Sequence, residues 1–369
     1  MAVKTIVVKF GSSTVTGRRG QLRRGVLAAR AAEIADLLVA GHHVVVVSSG
    51  AIACGQAVLG MGERPRAMAA LQAASAVGQG RLFAAWSRAL AREGRIAAQV
   101  LLTSADVAER PAYVNARQTL RRLLRWGAVP VVNENDTTAT DEIRFGDNDV
   151  LAAQVAIMLG ADLLLLLTDR GGVYTSDPSR DAGARLIEEL SDESGLAAAR
   201  LHARGGGAGG MRGKAAAALM AAAADVSAVI ADGAAPRVIA RAAAGEAVGT
   251  LVPARAGGAP AFKLWLRYAK PARGTLDIDD GAARALREAG ASLLPVGLLD
   301  VHGTFSAGDA VVVRAPSGRE VARGVAAMSA SEARRVVGLR SEEARRLFPH
   351  VADEVVHRDR LVLVDEEDV

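Results

Sequence analysis

Two lysines stand out by their surroundings. Lys9 closes an apolar run and is followed by Gly11-Ser12-Ser13, while Lys214 ends the stretch GGGAGGMRGK at 205–214. A glycine turn with free backbone N–H groups, next to an ammonium, suits a phosphate group. The chain has five lysines, Lys4, Lys9, Lys214, Lys263 and Lys270, against 40 arginines. Where arginine is so strongly preferred, lysines kept in two glycine-marked segments argue for a compact cation on a flexible stem. Lys4 reads as a strand-edge charge. Three polar clusters join them: Asn133-Glu134-Asn135-Asp136, Gly146-Asp147-Asn148-Asp149, and Thr168-Asp169-Arg170-Gly171-Gly172. Charged and amide groups at that density beside apolar runs mark a site, although Asp147 or Asn148 could also simply cap a helix.

The elements that must carry these residues follow from periodicity. Lys4–Phe10, Val44–Val47, Ala97–Leu102, Val129–Val132, Ala161–Thr168 and Val226–Ala231 are short apolar runs bounded by polar residues, as expected of strands buried on both faces. Leu22–Val39, Ala67–Arg92, Tyr113–Arg125, Val150–Leu159 and Ala215–Ala224 have helical character. The alternation predicts a three-layer α/β/α sandwich around a mostly parallel sheet. Ligands in such sheets sit beyond the carboxyl ends of strands. The clusters at Asn133–Asp136 and at Thr168 are both placed there, flanking one sheet edge. Ser48-Ser49-Gly50-Ala51 follows a strand and opens a helix, where backbone can approach a substrate carboxylate under a positive helix end.

Two familiar phosphate motifs fail at the glycine-rich stretch. A P-loop requires glycine where Ala208 stands and a hydroxyl residue where Ala215 follows Lys214. Gly205-x-Gly207-x-x-Gly210 matches a dinucleotide fingerprint, with Asp232 as a ribose acid, but the preceding ARLHAR is no strand. What remains is a mobile glycine-rich loop delivering Lys214 from a helix N-terminus.

Composition sets further bounds. No run of about 18 apolar residues lacks a charge, so no transmembrane helix is expected. MAVKTIVVKFG enters a strand without signal-peptide architecture. A single cysteine, Cys54, excludes an internal disulfide, fits a reducing cytoplasm and reads as a small buried hydrophobe. Residues 1–270 carry 32 basic and 23 acidic side chains; residues 271–369 carry 13 and 17. The basic part suits a polyanionic small ligand such as a nucleotide, and the acidic part argues against a broad nucleic-acid surface. Beyond the linker signals Gly257-Gly258-Ala259-Pro260 and Lys270–Gly274, short strands are expected at Thr275–Ile278, Ser292–Pro295, Ala310–Arg314, Glu320–Ala326 and Leu361–Val364, with a helix at Asp280–Ala289. The expected organisation is a first domain at 1–258, a linker at 259–273, a small mixed β domain at 274–357, and a terminal strand and acidic tail at 358–369.

In this order the motifs resemble the amino-acid kinase superfamily and, within it, the bacterial glutamate 5-kinases with their C-terminal PUA domain. The carrying residues are VVKFGSS at 7–13, VSSGAIACG at 47–55, VVNENDTTAT at 131–140, FGDND at 145–149, LLLLTDRGGVYTSDP at 164–178 and GAGGMRGKAAAA at 207–218. In the second domain they are GASLLPVGLLDVHGTFSAGDAVVV at 290–313 and VHRD at 356–359. The resemblance implies transfer of phosphoryl from ATP, with Mg²⁺, to the γ-carboxylate of L-glutamate in proline synthesis. It implies that Lys9 and Lys214 contact the transferring phosphoryl group and that Asp149 orients the lysines or the metal. Ser49, Gly50, Asn133, Asp136 and Asn148 would hold glutamate. Lys9, Thr168, Asp169 and the loop Ala208-Gly209-Gly210-Met211-Arg212-Gly213-Lys214 would hold nucleotide. It assigns no residue as a metal ligand, and it implies feedback inhibition by proline, a reductase partner that consumes γ-glutamyl phosphate, a homo-oligomer and a cytoplasmic location. The family usually has a hydroxyl residue where Gly213 stands, so one phosphate contact is missing here and the loop gains freedom. Two alternatives stay open: a kinase acting on N-acetylglutamate, aspartate or UMP, and an RNA-binding protein acting through the second domain, whose net charge of −4 disfavours it.

Overall fold

The alternation of buried strands and helices folds as two compact units, Met1–Ala261 and Phe262–Val369, in a computed structural model. It describes residues 3–17, 19–139, 148–191, 210–255, 261–268, 270, 272–348 and 353–364.

In the first unit β1 (Thr5–Phe10), β2 (His43–Ser48), β3 (Ala97–Leu102), β4 (Val129–Glu134), β5 (Leu163–Thr168), β6 (Ser227–Asp232) and β7 (Thr250–Val252) form one sheet in the order β3-β4-β2-β1-β5-β6-β7. All pairings are parallel except β6 with β7. β4 and β5 are fully buried along their lengths, as their apolar runs predict. They are not neighbours: β2 and β1 lie between them, so the clusters at their carboxyl ends lie along one end of the sheet rather than at one edge. The chain moves to one side of β1 for β2 and to the other for β5, which makes β1 the switch point where a ligand crevice opens.

The helices of this unit are α1 (Ser12–Val15), α2 (Arg24–Val39), α3 (Ala51–Leu59), α4 (Met68–Arg92), α5 (Ser104–Ala108), α6 (Arg110–Arg125), α7 (Asp149–Leu159), α8 (Met211–Ala222) and α9 (Val238–Ala244). Alternate residues of β1 face opposite ways. Ile6, Val8 and Phe10 enter a core shared with Leu27 and Ile34 of α2, Leu82 and Trp86 of α4, and Ile239 of α9. Lys9 faces the other side, towards Asp149 at the start of α7. The rings of Phe10 and Trp86 meet at 4.8 Å between centroids, fixing α4 beneath the sheet.

α3 and α4 cross at two glycines. A methyl on Gly55 would lie 1.7 Å from the Ala74 carbonyl oxygen, and one on Gly78 would lie 1.9 Å from that of Ala51. Neither obstacle is a side chain that could turn away. Gly78→Ala is therefore expected to lower stability by about 1–3 kcal/mol through overpacking, read as a reduced urea midpoint at unchanged m-value. An unaltered midpoint would mean the helices have room to separate.

The second unit holds α10 (Ala261–Tyr268), β8 (Ala272–Ile278), α11 (Asp280–Ala289), β9 (Leu298–Gly303), β10 (Ala310–Arg314), β11 (Glu320–Ala326), α12 (Ala330–Val336), α13 (Ser341–Leu347) and β12 (Val356–Leu363). Its mixed sheet runs β12-β11-β10-β8-β9. Two sequence expectations change here. The stretch expected as linker contains α10, whose Leu266 packs with Ala310 and Val325. Ser292–Pro295 is not a strand: Leu293 makes an isolated bridge to Val356, Pro295–Gly297 is a 3₁₀ turn, and the pairing strand is β9. Pro295 cannot donate to a ladder, which moves the strand beyond it.

Candidate active site

β1, β2, β4, β5 and β6 end on one side of the sheet, and the polar clusters gather there. Lys9, the penultimate residue of β1, has no exposed surface. Its Nζ lies 2.6 Å from Asp149 Oδ1, and Lys214 Nζ lies 2.8 Å from Asp149 Oδ2. Asp149 is 1% exposed and Lys214 6%. One buried carboxylate thus holds two ammonium groups side by side. Buried charge is costly unless paired, and this one carboxylate pairs with both ammonium groups.

Lys214 reaches this position from the first turn of α8 and not from a loop. The helix begins at Met211, with Gly210 as N-cap, and Lys214 N–H donates to the Gly210 carbonyl. Met211, Arg212 and Gly213 are therefore helical, which corrects the expectation of a loop through Lys214. Gly213 N–H also donates to the Gly210 carbonyl, so the first-turn N–H that an anion would meet is that of Arg212. Ala208 and Gly209 lie outside the described residues.

The second half of the site is an amide network. Asn148 Nδ2 donates to the Ser48 carbonyl at 2.9 Å and to Asn133 Oδ1 at 2.5 Å. Asn133 Nδ2 donates to Gln79 Oε1 at 2.5 Å. Asn148 is the N-cap residue of α7 but its side chain makes no capping bond, so capping does not explain it. Ser49 N–H donates to the Phe10 carbonyl, while its buried Oγ has no partner among the described residues. Gly50 has φ of +109°, and a methyl there would press on Val15 and Thr16 at 3.0 and 3.2 Å. Only glycine turns the chain into α3 at that point.

Asp136 follows β4 and is half-buried. Ser75 Oγ donates to its Oδ2 at 2.5 Å. Burial raises its pKa above the ordinary carboxylate value, against the smaller opposing effects of the Ser75 hydrogen bond and the Arg64 charge. Arg64 lies outside 126–143, the window in which the sequence offers Asp136 no basic partner. A carboxylate so raised is short of compensating positive charge, and an ammonium would supply it.

On the other side of Lys9, Thr168 ends β5. It is 7% exposed; its carbonyl accepts from Gly233 N–H and its Oγ1 donates to Asp169 Oδ1 at 3.2 Å. Asp169 is exposed. A methyl on Gly11 would lie 3.8 Å from Lys9 Nζ and 3.9 Å from Thr14 Oγ1. Thr14 Oγ1 is itself buried and has no partner among the described residues.

The structure brings together Lys9, Lys214 and Asp149, and separately Asn133, Asn148, Ser49 and Gly50, with Asp136 on the α4 side. Sequence reasoning missed Ser75, Gln79 and Trp86, whose Nε1–H donates to Ser48 Oγ at 2.9 Å. The spacing of 75, 79 and 86 on one helix was the available signal, since i, i+4 and i+11 share a face. Thr14 was missed as well. No group of three or more His, Cys, Asp or Glu suited to a metal occurs among the described residues.

Both units of the chain are similar to known proteins. The family model described as "Amino acid kinase family" matches residues 4–232, and the PUA domain model matches residues 274–348. Glutamate 5-kinase of Pseudomonas entomophila (strain L48) is 46% identical over 361 residues, 97% of each chain. Glutamate 5-kinase of Pseudomonas putida (strain W619) is 46% identical over 364 residues, 98% of each chain. That of Ectopseudomonas mendocina (strain ymp) is 46% identical over 361 residues, again 97% of each chain.

Proposed function

This chain belongs to the amino acid kinase family, among its glutamate 5-kinases, and on that premise we propose the reaction and the role of each site residue. The chain transfers the γ-phosphoryl group of ATP to the γ-carboxylate of L-glutamate, giving γ-glutamyl 5-phosphate and ADP, the first step of proline synthesis. The observation that carries the residue roles is the pair of buried lysines on Asp149, at 2.6 and 2.8 Å.

The nucleophile is a carboxylate whose ordinary pKa is about 4.3, so it is ionised at neutral pH and needs no general base. The work is to hold two anions in line and to offset the charge that spreads over the transferring group. Lys9 and Lys214 meet that group, and Asp149 fixes both ammonium groups before substrate arrives. Asp136 takes the α-ammonium of glutamate. Ser49 Oγ and the backbone at Gly50 take its α-carboxylate, and Asn148 and Asn133 set the wall against which the side chain extends. Thr168, Asp169 and residues 208–214 take the nucleotide. When bound, Mg²⁺ neutralises phosphate oxygens. Each Asp149 oxygen already faces a lysine, so the ion would be held by the nucleotide more than by a protein cage.

Family membership supports four further parts of the proposal: inhibition by proline, onward use of the acyl phosphate by γ-glutamyl phosphate reductase, a homo-oligomer, and a cytoplasmic location. No helix of the described residues is long and apolar enough to cross a membrane.

The test is an amino-acid panel with ATP and hydroxylamine, which traps acyl phosphates as hydroxamates. Glutamate should give product; equal turnover of aspartate or N-acetylglutamate would overturn the substrate assignment. We place the domain boundary at Ala261/Phe262 in place of the bounds 1–258, 259–273, 274–357 and 358–369, because α10 and β12 both pack within the second unit. Removing residues 274–369 should then leave hydroxamate formation measurable, because every residue given a role precedes Lys270. A soluble, folded truncation without product would show that the second domain completes the site.

A further inference from the structure

α4 carries a second feature unrelated to the amide network at its start. Arg81, Arg88 and Arg92 recur at i, i+7 and i+11, with Ala84, Ala85 and Ala89 between them. That spacing aligns the three arginines along one stripe, and the short alanines leave a trough between their long side chains. Arg24 in the first turn of α2, with Leu22 and Leu27, forms the facing wall. Together these residues line a cavity of about 320 Å³ with no acidic residue in its lining. None of the four arginine side chains has a hydrogen bond or ion pair among the described residues. By helical rise, Arg88 and Arg92 lie about 20–25 Å along α4 from Ser75, well away from the reacting groups.

Arginines on a solvated helix face usually alternate with acids or spread apart. Here four exposed arginines line one concavity with no acid among them, so an anion entering it is attracted by all four. The planar fork of arginine matches phosphate oxygens in pairs. The leucine and alanine walls give an anion's apolar body somewhere to lie, and the volume lies at the lower end of small-molecule sites.

We propose that this cavity is a second ligand site, taking a phosphate ester whose phosphate is gripped by Arg24, Arg81, Arg88 and Arg92 and whose apolar body rests on Leu22, Leu27 and the alanines. The proposal is independent of the kinase reading, because it concerns binding and none of these residues has a role in phosphoryl transfer.

The experiment is isothermal titration of the full chain at low salt with adenosine 5′-monophosphate and, separately, with orthophosphate. The parent should bind the nucleotide more tightly than orthophosphate, and added salt should weaken both. The Arg81→Ala/Arg88→Ala double variant should lose roughly tenfold or more in affinity, the scale of losing a charge-assisted hydrogen bond. Arg24→Glu, on the other helix, should weaken binding as strongly, so that a folding defect in one variant cannot decide the question. Hydroxamate formation by both variants should stay at the parent level. Equal nucleotide affinity in parent and variants would place all binding at the strand-end site and overturn the proposal. So would absence of binding in the parent, or orthophosphate binding as tightly as the nucleotide.

Discussion

Lys214→Ala is expected to lower kcat by roughly 10²-fold or more while leaving the KM for glutamate nearly unchanged, the signature of a lost transition-state donor. Lys214 Nζ and Lys9 Nζ sit on opposite oxygens of Asp149, so the carboxylate sets their separation. Removing Lys214 leaves Asp149 half-compensated and withdraws one of two charges from the transferring group. The amide network and Asp136 are untouched, which is why glutamate binding should hold. Asp149→Asn is the stronger companion test. It removes the one anion between two buried ammonium groups, so it should cost turnover and also lower the thermal midpoint, whereas Lys214→Ala should act mainly on turnover. Lys9→Arg should be poor too, because a planar fork replaces a point charge where no surface is exposed. Steady-state kinetics with an unchanged kcat in Lys214→Ala would remove that lysine from the reaction. A fully active Lys9→Arg would show that any cation suffices there.

The legible parts of this protein are those where local pattern and tertiary role coincide. β4 and β5 read as buried strands because their apolar runs end abruptly in polar residues, and the same abrupt endings placed Asn133, Asp136, Thr168 and Asp169 at carboxyl ends. Ser75 and Gln79 were signalled only by the helix face they share with Trp86. A polar residue in an alanine-rich helix reads as solvent face, and only the close crossing at Gly55 and Gly78 turns that face towards β4. The start of α8 was misread for the opposite reason. Its preceding glycines look like loop, but Met211, Arg212 and Lys214 favour helix, and the backbone bonds from Gly213 and Lys214 to the Gly210 carbonyl begin the turn. β7, with three residues paired antiparallel at the end of the sheet, is too short to show periodicity at all. In the second unit the apolar SLLP drew the strand assignment from LLDVHG, whose burial alternation is broken by the exposed Leu299.

Asp136→Asn is expected to raise the KM for glutamate sharply and change that for ATP little. Burial raises the Asp136 pKa, so the fold holds this charge reluctantly, and Ser75 and Arg64 only partly offset this. The α-ammonium of glutamate is the cation that would stabilise the ionised form. Losing one partner of such a desolvated pair costs about 2–5 kcal/mol, or roughly 30- to several-thousand-fold. The sign of the pH effect follows from the same balance. Proton and ammonium compete for one carboxylate whose pKa is raised, so apparent glutamate affinity should begin to fall, as pH is lowered, at a higher pH than an unperturbed aspartate would allow. Bound glutamate, in turn, should lower the Asp136 pKa. In Asp136→Asn that acid limb should disappear from the pH profile of kcat/KM for glutamate, an outcome a purely structural role would not produce. N-acetylglutamate lacks the cation and should be a poor substrate for the parent. If the parent used it as well as glutamate, or if Asp136→Asn kept both the parent KM and the acid limb, the ammonium would be held elsewhere and Ser75 would have no substrate partner to position.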